Sequence, residues 1–190
     1  MQVETLNIPD IKIISPAKHG DTRGFFSEIY SQRSLASAGI HHQFVQDNCS
    51  FSAPRFTVRG LHWQSPPFEQ AKLIQVLQGS ILDVAVDLRA GSPWFRQHVA
   101  VELSAKNWQQ LLIPVGFAHG FCTLEPDTMV LYKVDAYYSA ENEFGLRWND
   151  PDIGIDWPLA EDQAMLSDKD RQLPLLGDCE LPFDFAETRK

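Results

Sequence analysis

Polar residues set among apolar, β-branched stretches are the ones equipped for chemistry here, because burying a polar side chain is costly unless it is paired or used. In Arg59-Gly60-Leu61-His62-Trp63-Gln64 an imidazole directly follows an apolar residue. Such a ring takes a proton near neutral pH when it faces a cavity and a carboxylate orients it. Read alone, His62 is also the ordinary structural histidine that donates to a backbone carbonyl. Lys72 opens an apolar run with Ile74 and Val76 on its own face. Its ammonium either points inward to hold an anion or snorkels to water from a strand end. Tyr132 and Tyr138 are separated by an even number of residues, so they share one face of a strand over Thr128 to Tyr138. Two phenols on one face can line a cavity, or pack in a core with their hydroxyls at its rim. In Ile113 to Phe121, His119 stands among glycines and aromatics, where glycine permits a tight bend beside a ligand.

A second set of residues suits binding. Arg23, beside Gly24 in Asp21 to Glu28, could join Arg59 and Lys169 as phosphate partners, since a guanidinium grips phosphate through two parallel hydrogen bonds. Gln46-Asp47-Asn48 is a run of hydrogen-bonding side chains after Phe44-Val45, which reads as a contact set or as a turn. Glu143 and Leu166 to Asp170 read either as contacts or as ordinary acidic loops. No metal centre is expected: Gln64 stands where the second histidine of an H-x-H pair would be, and only Glu69 follows as a nearby carboxylate.

The elements that must position these residues are mostly strands. In Ile81 to Leu88 the apolar Leu82, Val84, Val86 and Leu88 alternate with a face carrying Asp83 and Asp87, the period of a strand. Gln78-Gly79-Ser80 reads as a hairpin turn joining it to a strand over Lys72 to Leu77. Further strands are predicted over His98 to Leu103, Gln110 to Ile113 and Thr128 to Tyr138. Only Ser31 to Ala38 and part of the tail after Leu159 read as helix. Many short strands with little helix between them predict a mainly β fold, a sandwich or closed barrel of the jelly-roll type with short flanking helices. After Trp157 the prolines Pro158, Pro174 and Pro182 alternate with acidic clusters. Residues 158–190 therefore read as a tail packed on the barrel within one domain spanning 1–190.

Composition narrows the function. The chain has 190 residues and a formal net charge of −9. An acidic field of that size repels nucleic-acid backbones and anionic membranes. Cys49, Cys122 and Cys179 lie far apart and are odd in number, which fits neither a disulfide framework nor a zinc site. The N-terminus lacks a signal-peptide pattern and no apolar run reaches the length of a membrane span. A soluble, unexported, cytoplasmic protein is expected.

Taken together, these segments resemble the dTDP-4-dehydrorhamnose 3,5-epimerase family over nearly the whole chain. The likeness is carried by D-x-R-G-F-F-x-E at Asp21 to Glu28, V-Q-D-N at Val45 to Asn48, R-G-L-H at Arg59 to His62 and Q-x-K-L at Gln70 to Leu73. It continues in D-V-A-V-D-L-R at Asp83 to Arg89, I-P-x-G-F-A-H-G-F at Ile113 to Phe121, and Y-K at Tyr132 and Lys133. R-W-N-D-P at Arg147 to Pro151 and L-S-D-K-D at Leu166 to Asp170 complete it.

The resemblance implies a homodimeric cupin barrel, with no metal or other cofactor. It would invert C3 and C5 of a dTDP-linked 4-keto-6-deoxyhexose on the route to rhamnose. By this likeness His62 is the proton acceptor, Asp170 holds its ring, Tyr132 is the proton donor on the opposite face, and Lys72 stabilises the oxyanion at the 4-position. Arg23, Glu28, Gln46, Asp47, Asn48, Arg59, His119, Tyr138, Glu143 and Lys169 would contact the nucleotide and sugar, some of them from the partner subunit. Two positions depart from the family pattern: Cys49, where histidine is usual, and Trp63, where a smaller aromatic is usual. Both are expected to alter local substrate contacts. A relative that inverts one centre, or a keto-sugar isomerase, would share the same base. A silent binding module would lack the base, the acid or the oxyanion partner, and this chain retains all of them.

Overall fold

The computed structural model describes residues 1–188. In chain order its elements are β1 (Gln2–Thr5), β2 (Lys12–Ser15), β3 (His19–Asp21), β4 (Gly24–Phe26), α1 (Gln32–Ser37), β5 (Gln46–Ser52), β6 (Val58–Gln64) and β7 (Lys72–Gln78). They continue with β8 (Ser80–Asp87), β9 (His98–Ser104), β10 (Gln110–Ile113), β11 (Phe117–Thr123), β12 (Thr128–Val134), β13 (Glu143–Gly145) and α2 (Asp168–Arg171). A six-stranded sheet in the order β1-β2-β10-β7-β12-β5 faces a five-stranded sheet in the order β13-β6-β11-β8-β9, and β3 and β4 form a separate two-stranded ribbon. All the ladders within these sheets are antiparallel. This is the mainly β, cupin-like jelly roll expected, with short helices at its flanks. No helix among the described residues is long and apolar enough to cross a membrane.

Strand β8 shows how the layers are built. Val84, Val86 and Leu88, with Leu82 partly buried, join a cluster containing Trp63, Trp148 and Trp157. Ile81 and Ala85 point the other way, into the space between the sheets, with Ile74, Val76, Ile113, Phe117, Phe121 and Val130. The face that carries Asp83 and Asp87 is therefore the barrel interior, and both carboxylates are completely shut off from water. Beyond Trp157, Ala164, Leu176 and Phe183 bury in the same cluster as Trp63. A third cluster, Ile14, Leu35, Ile40, Leu73 and Leu112, seats α1 on the six-stranded sheet. Ser31 caps α1 by accepting from the Ser34 N–H, so the helix begins where the sequence predicts.

Three local expectations are corrected. Gln78-Gly79-Ser80 does not make a hairpin: β7 and β8 lie in opposite sheets, and Gly79, at φ 77°, turns the chain from one layer to the other. Strand propensity is local, whereas a strand's partner is decided by which faces can be buried together. Thr128 to Tyr138 is not one strand, since β12 ends at Val134 and the Asp135 carboxylate then accepts from the Ala71 N–H at 2.7 Å. Tyr132 and Tyr138 thus share no strand face. The segment around His119 is a fully buried strand rather than a bend. Gly116, at φ 95°, makes the turn before it, and Gly120 serves close approach instead: a Cβ there would stand 2.7 Å from the Arg59 carbonyl oxygen.

Candidate active site

The site is built where β6 and β11 of one sheet face β5, β7 and β12 of the other. Gly60, at φ 113°, packs its backbone against that of Gly120, where an added Cβ would be 2.7 Å from the Gly120 Cα. The ladder between β6 and β11 shifts register between His119 and Phe121, which leaves His62 directly opposite His119. Both histidines line a cavity of about 520 Å³ with Ser50, Arg59, Lys72, Phe121, Tyr132 and Glu143, closed on one side by Ser167, Lys169 and Asp170 of the tail. A smaller hollow of about 220 Å³ shares His62, Lys72, Tyr132 and Glu143 with it and adds Gln46, Asn48 and Tyr138.

His62 Nε2 lies 2.6 Å from Asp170 Oδ1, a contact between residues 108 apart in sequence. Ser167 caps α2 by accepting from the Asp170 N–H at 3.1 Å, and its hydroxyl donates to Asp170 Oδ2 at 2.9 Å. Burial alone would raise the Asp170 carboxyl. The hydrogen bond and charge of His62, with Ser167 and Lys169, outweigh it and hold the group below the ordinary carboxylate range. An ionised carboxylate only accepts, so the neutral ring carries its proton on Nε2 and leaves Nδ1 as the basic nitrogen.

Lys72 enters the cavity from the start of β7 and donates to the His62 carbonyl oxygen at 3.4 Å. Burial pulls its ammonium down to about 8, against the opposing charges of Asp83 and Glu143. Tyr132 projects from β12, and burial raises its phenol above the ordinary value, with Glu143 and Cys49 adding to the shift and Arg59 opposing it. The cavity therefore holds the His62 ring on a carboxylate and, near neutral pH, an ammonium and a protonated phenol.

The remaining polar residues form the walls. His119 Nε2 lies 3.0 Å and 3.1 Å from the two oxygens of Asp83. Tyr138 donates to Glu143 Oε2 at 2.6 Å, and the Lys169 ammonium approaches the same oxygen at 2.6 Å. Burial would push Glu143 up, but these two partners hold it below the ordinary carboxylate range. Arg59 is braced by Ser52 Oγ at 3.2 Å and the Phe51 carbonyl at 3.1 Å. Gln46 donates to Asn48 Oδ1 at 2.9 Å and accepts from the Tyr138 N–H at 3.3 Å, so Tyr138 reaches the site by a fold-back of its loop and not along β12.

Three residues expected at the site are elsewhere in this chain. Asp47 alternates to the outer face of β5, 57% exposed, and pairs with Lys133 at 2.8 Å. Arg23, 88% exposed on the β3–β4 ribbon, pairs with Asp21. Glu28 accepts from the Ser34 hydroxyl at 2.9 Å, beside α1. The two departures from the family pattern also lie mostly off the cavity. Cys49 is exposed on the outward side of β5. Trp63 borders the smaller hollow, but its ring stacks on Phe144, 6.3 Å between centroids, in the cluster under the tail. Ser50, Phe121 and Ser167 were not singled out from the sequence. For Ser167 a signal exists, because Ser-Asp-Lys-Asp is a helix-start pattern that would place Asp170 on the first turn.

With this geometry in place, comparison with known proteins identifies the family. The family model for dTDP-4-dehydrorhamnose 3,5-epimerase matches residues 5–178. The enzyme of that name from Sinorhizobium fredii is 49% identical, over 100% of this chain and 95% of its own length. Among solved structures, the dTDP-4-dehydrorhamnose 3,5-epimerase of Bacillus anthracis, with TDP and PPi bound, superposes with a TM-score of 0.89 at 54% identity, covering 92% of this chain and 99% of that one. The dTDP-6-deoxy-D-glucose-3,5-epimerase of Legionella pneumophila, in complex with dTDP-4-keto-L-rhamnose, gives 0.91 at 44% identity, covering 97% and 98%. This chain belongs to the dTDP-4-dehydrorhamnose 3,5-epimerase family.

Proposed function

We propose that this protein inverts C3 and C5 of dTDP-4-dehydro-6-deoxy-D-glucose, giving dTDP-4-dehydro-L-rhamnose in dTDP-rhamnose biosynthesis. The observation that carries the reading is that His62 and Tyr132 line one cavity from opposite sheets, with Lys72 beside His62. A carbon next to a ketone is a weak acid, so its proton leaves only to a positioned base and with a cation where the enolate charge develops. His62 takes the proton, the C–H electron pair becomes the double bond to C4, the carbonyl π pair moves to the C4 oxygen, and the Lys72 ammonium stabilises that oxygen. Tyr132 then delivers its phenolic proton to the opposite face of the same carbon. Solvent restores both groups before the second centre reacts. Asp170 fixes the His62 ring and stabilises the imidazolium formed.

Arg59, His119, Lys169, Glu143, Gln46, Asn48 and Tyr138 surround the space left for the nucleotide and the rest of the sugar. Arg23 and Glu28 lie outside that space within one chain, and we assign them to the site of a partner subunit in a homodimer. The chain acts as one catalytic unit over 1–190, with 158–190 as the tail that supplies Lys169 and Asp170. The free Cys49, Cys122 and Cys179 suit a reducing cytoplasm.

The test is incubation of the purified protein with dTDP-4-keto-6-deoxyglucose in heavy water, following deuterium at the two carbons flanking the ketone by NMR. Label at both carbons is the expected result. Label at one carbon would identify a single-centre epimerase or isomerase, and no label would remove the assignment.

A further inference from the structure

Behind the cavity wall lies a charged residue that the proposed chemistry leaves without a task. Asp83 sits on the inner face of β8 between Ile81 and Ala85 and is 0% exposed. A carboxylate removed this completely from water is costly unless cations or donors compensate it. Its hydrogen-bond partner is His119, whose Nε2 lies 3.0 Å and 3.1 Å from its two oxygens. Its charge also acts on Lys72, on the facing sheet.

The charges around Lys72 single out Asp83. Facing the ammonium are His62 and Arg59 from β6, His119 from β11, Tyr132 from β12, Glu143 from β13, and Lys169 and Asp170 from α2. Of the carboxylates, Asp170 is engaged by His62 and Ser167, and Glu143 by Lys169 and Tyr138. Asp83 has no lysine or arginine within ion-pair distance among the described residues, and of the groups opposing the loss of the Lys72 charge it contributes most. Among the described residues Lys72 itself has one long hydrogen bond, to the His62 carbonyl at 3.4 Å. An ammonium has three N–H donors, so the others remain for a ligand oxygen.

We propose that Asp83 is a positioning residue of this site: from behind the wall it holds the His119 ring and supplies the fixed negative charge that keeps Lys72 an ammonium in the cavity. The proposal rests on the epimerase reading for the use made of that charge. It is separable from that reading, because the charge state of Lys72 can be measured without substrate.

The test compares the wild type with D83N, in which the amide oxygen still accepts from the His119 N–H while the charge is gone. Competitive acetylation read by mass spectrometry gives the titration midpoint of Lys72 in the free protein, expected near 8 in the wild type. In D83N the midpoint should fall by about one pH unit or more. The ammonium is the active form, so activity is lost as pH rises through the Lys72 midpoint, and this alkaline limb of kcat/KM should move down with it. D83N should then be within ~3-fold of the wild type below the limb and ~5-fold or more slower at pH 8. D83E, which keeps the charge, should hold the midpoint within about half a unit. An unmoved midpoint in D83N overturns the proposal, as does an equal loss of activity at every pH. If the wild type fails to turn over the sugar nucleotide, the epimerase reading falls while the labelling still decides the Asp83–Lys72 coupling. Should neither variant fold, a wild-type Lys72 midpoint below about 7, as for an unassisted buried lysine, overturns it, and one near 8 supports it.

Discussion

At the scale of single residues, the proposed mechanism separates the taking of a proton from the giving of one. His62 is bound to a carboxylate that stays ionised, and so it is prepared to become an imidazolium. Tyr132 is pushed in the opposite sense, towards staying protonated. That difference predicts a split phenotype. Tyr132→Phe removes the donor without changing the shape of the wall, so exchange of the substrate proton with heavy water should persist within about tenfold while inversion falls by about 10²-fold or more. NMR in heavy water reads both rates in one sample. Equal losses of exchange and inversion would take the separate donor role away from Tyr132.

At the scale of elements, the position of His62 depends on how closely β6 and β11 approach. Gly60 and Gly120 are in backbone contact, and an alanine methyl at 120 would sit 2.7 Å from the Arg59 carbonyl and 2.8 Å from Leu61 Cδ2. Neither strand can yield without moving the other, since both are buried in the same sheet. Gly120→Ala should therefore cost about 1–3 kcal/mol of stability. It should also slow turnover by about 10-fold or more, because displacing the proposed base by a fraction of an ångström weakens its alignment. Thermal unfolding and kcat measured on one preparation check both. Retained activity with lost stability would show that His62 is held by Asp170 alone. The tail acts at the same scale: α2 is a single turn, yet its Ser167 cap fixes the backbone of Asp170 and so the carboxylate that meets His62.

At the scale of the whole molecule, one chain leaves the proposed site short of two contacts. Arg23 and Glu28 belong to the ribbon and loop that stand away from the cavity, and Phe25 and Phe26 beside Arg23 are 50% and 72% exposed. Large aromatics left in water on a projecting ribbon suit a surface covered by a second copy. If Arg23 completes the site of its partner, R23A and H62A should each lose most activity alone. Mixing the two and allowing subunits to reassort should restore about one quarter of wild-type activity, since half of the mixed dimers' sites are intact in a random twofold assembly. Activity assays after reassortment, with light scattering to follow the dimer, decide this. No recovery would place Arg23 in its own chain's site or outside catalysis.

Sequence by itself determined the chemical inventory and the local elements. The motif residues carry their types wherever the chain goes, and the period of Ile81 to Leu88 and the cap at Ser31 depend only on neighbours. It was silent on β1, β2, β3, β4 and β13 because they are short, and it left Gln46 to Asn48 open between a contact set and a turn because one face of β5 is polar where it lines the cavity. Tertiary structure decided the rest. Whether Gly79 closes a hairpin or crosses between sheets, whether Asp47 or its neighbours face inward, and whether Tyr138 arrives along a strand or by a fold-back all depend on which faces are buried together. The pairing of His62 with Asp170 across 108 residues, and the burial of Asp83 behind His119, are likewise set by packing of distant segments, a long-range interaction that no local periodicity encodes.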